Sequence, residues 1–295
     1  MLNFAMIGVG GYIAPRHLEA IKAAEGNLIA AFDPKDSVGI LDRYFPDCQF
    51  FTDFERFQAF LETSKRLDYV SICSPNYLHG SHIKMALRLG ANAICEKPLV
   101  LEERELDELV EYEKKYERKV YTVLQLRVHD SILNFKNKID QGNKKHYQVD
   151  LTYLTSRGAW YFESWKGDEK KSGGLSTNIG VHFFDMLTWI FGDLKKVVRD
   201  VKKPEIESGL IELERATVKW KLSIDRSLLP ESAIAAGKTT YRSIKVDGEE
   251  FEFSEGFTEL HQKVYQHILA GNGYGIEDSR VAIRIVEKMR SLHEL

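Results

Sequence analysis

The sequence predicts an α/β protein of two domains: an N-terminal Rossmann-type doubly wound parallel sheet, then an α+β domain with a mainly antiparallel, open sheet. Three observations lead there. Up to about residue 125, short continuous apolar runs alternate with helical patterns, as successive βαβ units do. Beyond it the strand-like segments alternate polar and apolar residues, the mark of a sheet with one face in water. The length of 295 residues suits two cores at roughly 150 residues per domain.

The first strands are read at 4–9, 28–32, 69–73, 92–95 and 120–124, with helical patterns near 14–24, 53–64, 77–89 and 102–116. In the last of these, Leu106, Leu109, Val110 and Tyr116 share one face. In the second half, 146–155, 216–224, 241–246 and 251–253 read as strands, with Asp247-Gly248 as a hairpin turn between the last two. A Gly-rich loop and an apolar helix fill 160–192. Two helices close the chain, one with Phe257, Leu260, Val264 and Ile268 on a face, the other with Val281, Ile285, Met289 and Leu292. Turns are read at Lys202-Lys203-Pro204 and Leu229-Pro230. The expected division is 1–125 for cofactor and 126–295 for substrate and oligomerisation.

Composition sets bounds. The formal net charge of −3 lacks the basic stripe of a nucleic-acid-binding protein, yet leaves room for a local cation cluster around a small anion. Cys48, Cys73 and Cys95 cannot all pair and form no Cys-x-x-Cys, so they read as reduced thiols of a cytoplasmic protein. A basic signal-peptide start and a membrane-length apolar run are both missing from the sequence.

The chemistry begins at the first turn, Gly8-Val-Gly10-Gly11-Tyr12-Ile13-Ala14-Pro15. Gly8 permits a tight turn, and Gly10 lets a pyrophosphate approach the helix N-terminus. The fingerprint wants a small residue where Ile13 stands; Ala14 next to it is a candidate for that packing role. An ordinary βα turn fits the same residues, but Asp33 closes the second strand where an acid would hold ribose hydroxyls and repel a 2′-phosphate, favouring NAD over NADP. Ser74-Pro75-Asn76-Tyr77-Leu78-His79 and Glu96-Lys97-Pro98 follow the next two strands, at the carboxyl ends where open α/β sheets bind ligands. A helix from about Gly174 would align Asn178, His182 and Asp185 at spacings of four and three. Such a stripe is costly to bury unless it lines a site, although a His182–Asp185 bond inside the core is the other reading. His79 and His82 lack a carboxylate or thiol companion, so no metal site is expected.

The glycine turn, the Glu96-Lys97-Pro98 triplet and the Gly-Gly…Asn178…His182…Asp185 helix together resemble the glucose–fructose oxidoreductase / inositol dehydrogenase family over nearly the whole chain. Further segments are similar to its subgroup of UDP-N-acetyl-glucosaminuronate 3-dehydrogenases. They are Gly11-Tyr-Ile-Ala-Pro-Arg-His17, Ser71-Ile-Cys-Ser-Pro-Asn-Tyr-Leu-His79, Leu124-Gln125-Leu-Arg127-Val-His129, Ser164-Trp165-Lys-Gly167 and Gly237-Lys-Thr-Thr-Tyr-Arg242. The resemblance implies that NAD oxidises the 3-hydroxyl of a UDP-N-acetyl-hexosaminuronate in lipopolysaccharide (O-antigen) precursor synthesis. It implies an aminotransferase acting next, 2-oxoglutarate as a reoxidant in some members, and a homodimer or homotetramer.

It also implies a site. Gly8, Gly10, Gly11, Tyr12, Ile13, Asp33, Ser74, Pro75, Asn76, His79, Glu96, Lys97 and Gln125 are expected on the cofactor. Arg127, Arg157, Tyr161 and Trp165 are expected on the substrate with Lys97, Asn178 and His182, and Trp160 and Lys166 lie in the same cluster. Lys97 corresponds to the family's active-site lysine and His182 to its histidine. Asn178 stands where many members have Asp and takes no proton, leaving Lys97, the favoured base, and His182 to share the acid/base work. A dehydrogenase of a free sugar or polyol, and a non-catalytic NAD-binding regulator, are the competing readings.

Overall fold

In a computed structural model that describes residues 1–64, 66–253 and 257–292, the chain forms two compact units. The first comprises Met1–Gln125 together with Thr258–Ser279, and the second Leu126–Phe257 with Arg280–Leu295. The expected single division near residue 125 therefore misses one feature: 258–279 belongs to the first unit, although it follows the whole second sheet in sequence. Its helix packs on the first unit's opening helix, a long-range pairing that no local pattern announces.

The first unit runs β1 (Asn3–Ile7), α1 (Ala14–Ala23), β2 (Asn27–Phe32), α2 (Ile40–Tyr44), β3 (Gln49–Phe51), α3 (Phe54–Thr63), β4 (Tyr69–Ile72), α4 (His79–Arg88), β5 (Asn92–Cys95), α5 (Glu103–Tyr116) and β6 (Val120–Thr122). All strand pairs are parallel, in the order β3-β2-β1-β4-β5-β6. The order reverses between β1 and β4, where doubly wound sheets open a ligand crevice. Local chemistry sets the helix ends. Pro15 occupies the first turn of α1, where its missing N–H costs nothing. The Asp53 side chain accepts from the Arg56 N–H at the start of α3, and a Glu102/Glu105 capping box opens α5. Ala14 is fully buried at the start of α1, as the fingerprint's small residue must be, with Ile13 just outside the helix.

The second unit contains α6 (Asp130–Gln141), β7 (Tyr147–Thr155), α7 (Trp160–Glu163), α8 (Glu169–Ser172), α9 (Val181–Phe191), β8 (Leu194–Lys203), β9 (Ile206–Leu213), β10 (Ala216–Ser223), α10 (Glu231–Ala235), β11 (Thr240–Val246) and β12 (Glu249–Glu250). Of the closing helices, α11 (Leu260–Leu269) lies in the first unit, and α12 (Ile276–Ser291) places Ala282, Ile285, Val286 and Met289 in the second unit's core. The sheet order is β12-β11-β7-β10-β9-β8, antiparallel except for β7 with β10. Phe183, Phe184, Phe191 and Trp220 are almost fully buried where α9 meets the sheet, each contributing roughly 1.5–3 kcal/mol of transfer free energy.

Two strand expectations change. Residues 251–253 are not a strand: the Phe251 and Phe253 rings stack 5.3 Å apart in an aromatic cluster with Phe135, so their alternation reflects packing. Strands β8 and β9, absent from the sequence reading, flank the expected Lys202–Pro204 turn; the Lys-rich, half-exposed β8 hides its pattern. The Asp247-Gly248 hairpin turn is present, with φ of 54° and 87° as the tight I′ turn requires. Cys48, Cys73 and Cys95 are all free thiols. Among the described residues no helix is long and apolar enough to cross a membrane.

Candidate active site

In the first unit, the loops after β1, β2, β4 and β5 converge at the carboxyl edge of the sheet. Gly8 has φ of 85°, and a Cβ built on it would stand 2.6 Å from the Cys73 carbonyl oxygen, so glycine alone fits. The Gly10 N–H donates to Asp33 Oδ2 at 2.9 Å, and the Lys35 N–H to Asp33 Oδ1 at 3.0 Å. Asp33 thus closes the glycine turn from the end of β2, where an acid would meet the adenosine ribose of a bound dinucleotide. The turn's cradle and this acid fit NAD. Replacing Asp33 by Ala is expected to weaken NAD binding about 10-fold or more, through loss of charge-assisted hydrogen bonds, while NADP weakens less. Titration of both cofactors by fluorescence checks this, and equal losses for the two would remove Asp33 from ribose recognition.

Two residues expected on the cofactor turn inward instead. His79 is buried, with Nδ1 2.7 Å from the Pro98 carbonyl oxygen and Nε2 2.8 Å from that of Ser74. Burial lowers its pKa, so the neutral ring donates to one oxygen while tying the loop after β4 to the loop after β5. Its neighbour His82, pushed down to about 4 by burial, shares a hydrogen bond with the Ser74 hydroxyl, Nδ1 to Oγ 2.8 Å.

Glu96 is the second. Its Oε1 accepts from His17 Nε2 at 3.0 Å and His261 Nε2 at 2.9 Å, and its Oε2 from the Lys97 N–H at 3.2 Å. The chain continues: His17 Nδ1 accepts from the Tyr265 hydroxyl at 2.8 Å, which accepts from Ser71 at 2.7 Å. Burial alone would raise the Glu96 pKa, but the two imidazole donors outweigh it and hold the carboxyl well below the usual carboxylate range. His17 is itself lowered, chiefly by burial, and stays neutral. The ligand atoms of His17, Glu96 and His261 lie within 4.8 Å of one another, each already committed to a hydrogen bond inside the cluster. The backbone around Lys97 is therefore pinned on both sides, by Glu96 before it and by the Pro98 carbonyl after it. His17 and Ser71 fall in segments that carry the resemblance but have no role in the expected site, and His261 and Tyr265 are absent from it; the latter two are spaced i, i+4 beside the apolar stripe of α11, which is their signal in the sequence. Tyr12 is almost fully exposed, Asn76 is buried, and Ile13, Pro75 and Gln125 are half-buried.

In the second unit, a π-turn over Ser176–Gly180 precedes α9. It breaks the uniform helix expected from Gly174, so the three polar residues part company. Asn178 Nδ2 donates to the Tyr161 hydroxyl at 2.9 Å. Asp185 is buried and accepts from Arg127 twice, Nε to Oδ2 at 3.1 Å and Nη2 to Oδ1 at 2.7 Å. Arg127, expected to face substrate, is thus buried with its fork committed to Asp185. His182 stays half-buried, its ring 4.1 Å from Phe183 and 6.0 Å, edge-on, from Tyr153. Opposite Tyr153 on β11 stands Arg242, whose guanidinium lies 4.4 Å from the Phe257 ring and 5.3 Å from Phe253.

A cavity of about 500 Å³ opens beside the π-turn, lined by Tyr161, Phe162, Lys166, Leu175, Lys202 and Glu207 among others. Glu207, unnoticed in the sequence, is buried, with Oε2 unpartnered and its pKa raised by that burial. Lys166 stacks 4.4 Å over Trp165, while Arg157 and Trp160 are exposed.

Residues 2–124 match the model of an oxidoreductase family's NAD-binding Rossmann fold, and residues 136–250 that of the same family's C-terminal alpha/beta domain. The WlbA (WbpB) dehydrogenase of Thermus thermophilus, solved with NAD and UDP-GlcNAcA, is 52% identical over 100% of this chain and 96% of its own, with a TM-score of 0.96. A second structure of that enzyme, with NAD and alpha-ketoglutarate, is 53% identical over the same shares, at 0.97. A 2,7-anhydro-N-acetylneuraminate hydratase of Mediterraneibacter gnavus is 25% identical over 206 residues, 67% of this chain and 51% of that one. The chain spans about half or less of the length of the curated relatives it matches (38% and 51% for two of them). Matched in order by both domain models and along its full length by WlbA, the chain belongs to the GFO/IDH/MocA oxidoreductase family, whose N-terminal domain is an NAD-binding Rossmann fold.

Proposed function

We propose that this protein is an NAD-dependent dehydrogenase that oxidises the 3-hydroxyl of a UDP-N-acetyl-hexosaminuronate to the 3-keto sugar. The observation that carries the proposal is the 52% identity, over the whole chain, to a dehydrogenase solved with NAD and UDP-GlcNAcA. The glycine turn and Asp33 would hold the dinucleotide, which when bound supplies a hydride acceptor. Everything else falls to the protein.

Removing a secondary hydroxyl's hydrogen as hydride requires its proton to leave and alkoxide character to be stabilised. Lys97 does both: its amine accepts the proton, and its ammonium then lies beside the new carbonyl oxygen. The pinned backbone on either side of Lys97 limits how far that amine can wander, which is worth rate because misplacement by about 1 Å costs up to 100-fold. His182 takes the second share of the acid/base work as a proton relay, and Asn178 holds Tyr161 in the pocket wall. Arg157, Trp165 and Lys166 supply cations and aromatic surface for the sugar nucleotide. The product is a ketone that an aminotransferase can convert to an amine, and 2-oxoglutarate, taken in the same pocket, is the reoxidant and leaves as 2-hydroxyglutarate. A homo-oligomer is proposed to form through the outer face of the β7–β11 sheet, which carries Asp150, Lys219 and Lys221.

The test supplies the purified enzyme with UDP-GlcNAcA, 2-oxoglutarate and catalytic NAD, and follows 2-hydroxyglutarate by mass spectrometry. The expected result is one equivalent per sugar oxidised. Turnover of inositol or free glucose with none of UDP-GlcNAcA would move the assignment to a polyol or sugar dehydrogenase.

A further inference from the structure

Two arginines of the second unit sit among packed side chains, Arg127 buried and Arg242 half-buried, and they differ in what meets them. Arg127 has a carboxylate, Asp185, with which it forms a two-point fork. Arg242 is surrounded by rings: Phe257 at 4.4 Å, Phe253 at 5.3 Å, and Tyr153 and Phe183 both at 5.8 Å. Its protein hydrogen bond goes to the Tyr153 hydroxyl, and its buried Nε has no partner. Among the described residues Tyr153 is the titratable group that acts on it; no carboxylate does. Burial accordingly lowers its pKa. A guanidinium partly withdrawn from water, resting on aromatic faces and with no acid of its own among the described residues, is an arrangement that costs free energy until an anion arrives.

The place of this cation suggests the anion. Arg242 and Tyr153 are directly opposed across β11 and β7, and the Tyr153 ring meets His182 edge-on at 6.0 Å. The Tyr153 ring thus neighbours both this cation and the histidine assigned to the reacting hydroxyl. A planar fork with a free Nε–H matches a carboxylate in two-point contact. The inference rests on the functional reading above, and that reading sharpens it. One neighbouring enzyme is solved with UDP-GlcNAcA in one structure and alpha-ketoglutarate in another. Those ligands share no phosphate and no sugar ring, but both carry a carboxylate.

We propose that Arg242, on its shelf of Phe253 and Phe257, is the residue that binds the substrate's carboxylate: the uronate group of the sugar nucleotide and a carboxylate of the 2-oxo acid. It is then a specificity-determining residue, distinguishing a hexosaminuronate from the corresponding neutral hexosamine. Tyr153 acts through it as a positioning residue, its ring lying 5.8 Å from the guanidinium and 6.0 Å, edge-on, from His182.

The experiment compares wild type with Arg242→Gln and Arg242→Lys, all saturated with NAD, by calorimetric binding of UDP-GlcNAcA, UDP-N-acetylglucosamine and 2-oxoglutarate. Arg242→Gln is expected to weaken UDP-GlcNAcA and 2-oxoglutarate by about 10- to 100-fold, the worth of a charge-assisted pair, with UDP-N-acetylglucosamine and NAD changed less than twofold. Arg242→Lys, which keeps the charge but not the fork, should recover part of the loss and covers the case in which the Gln variant fails to fold. Equal losses for charged and neutral sugars would assign Arg242 a structural role and overturn the proposal, as would unchanged binding of both carboxylates or wild type that binds neither. Wild type that binds UDP-GlcNAcA through Arg242 without oxidising it would instead overturn the functional reading and leave this one standing.

Discussion

Replacing Lys97 by Ala is expected to lower kcat by about 1000-fold, within the range general-base catalysts usually contribute, while the Kd for NAD changes less than twofold. The separation follows from position. The glycine turn and Asp33, the proposed cradle for NAD, lie near β1 and β2, whereas Lys97 follows β5 and is anchored through its own backbone. The loss should appear in kcat and kcat/KM together, as for an interaction made in the transition state. Stopped-flow and steady-state rates with UDP-GlcNAcA make the check. A variant that keeps the wild-type rate removes Lys97 from the chemistry and leaves His182 as the base.

The second large effect is on the scaffold. Gly8→Ala places a methyl 2.6 Å from the Cys73 carbonyl oxygen and 2.9 Å from the Ser74 nitrogen, all backbone, at a φ of 85°. Left-handed backbone costs an L-residue about 1 kcal/mol, and forced overpacking another 1–3, so roughly 2–4 kcal/mol of stability should go. For a chain of 295 residues unfolding as one unit that lowers Tm by about 3–6 °C. Gly237 is the control. It has φ of 67° but nothing within 4 Å of an added Cβ, so Gly237→Ala carries the strain without the collision. Its expected cost is about 1 kcal/mol. Calorimetry on the two variants separates the contributions. Equal shifts in Tm would show that the loops after β1 and β4 yield more easily than their packing indicates.

How much could be read from the sequence depends on whether a signal is local. The parallel strands of the first unit were legible because a strand buried on both faces is nearly continuously apolar, as 4–7 is throughout and 69–72 is but for Ser71. The same holds for the glycine turn, where a positive φ and a close approach demand glycine itself. The π-turn at Ser176–Gly180 was not legible, because one extra residue per turn leaves composition unchanged while rotating Asn178 away from Asp185. Strand β8 was hidden since a half-exposed edge strand tolerates lysine. Buried partnerships were the least visible. Glu96 was found as part of a triplet, but its clamp depends on His17 and His261, which are remote in sequence and meet only in the fold. Arg127 looked like a ligand cation until Asp185 came beside it, and Arg242 drew attention only through its neighbours in the sequence pattern.

The central claim is oxidation at the sugar's third carbon with hydride passing to NAD. UDP-GlcNAcA carrying deuterium at C3 tests it most directly, with the nicotinamide product read by NMR after a single turnover. The account predicts one deuterium on the reduced nicotinamide per 3-keto sugar formed, and none when the label is at C4. Label transferred from C4, or a reduced cofactor without deuterium from the C3-labelled sugar, would contradict it.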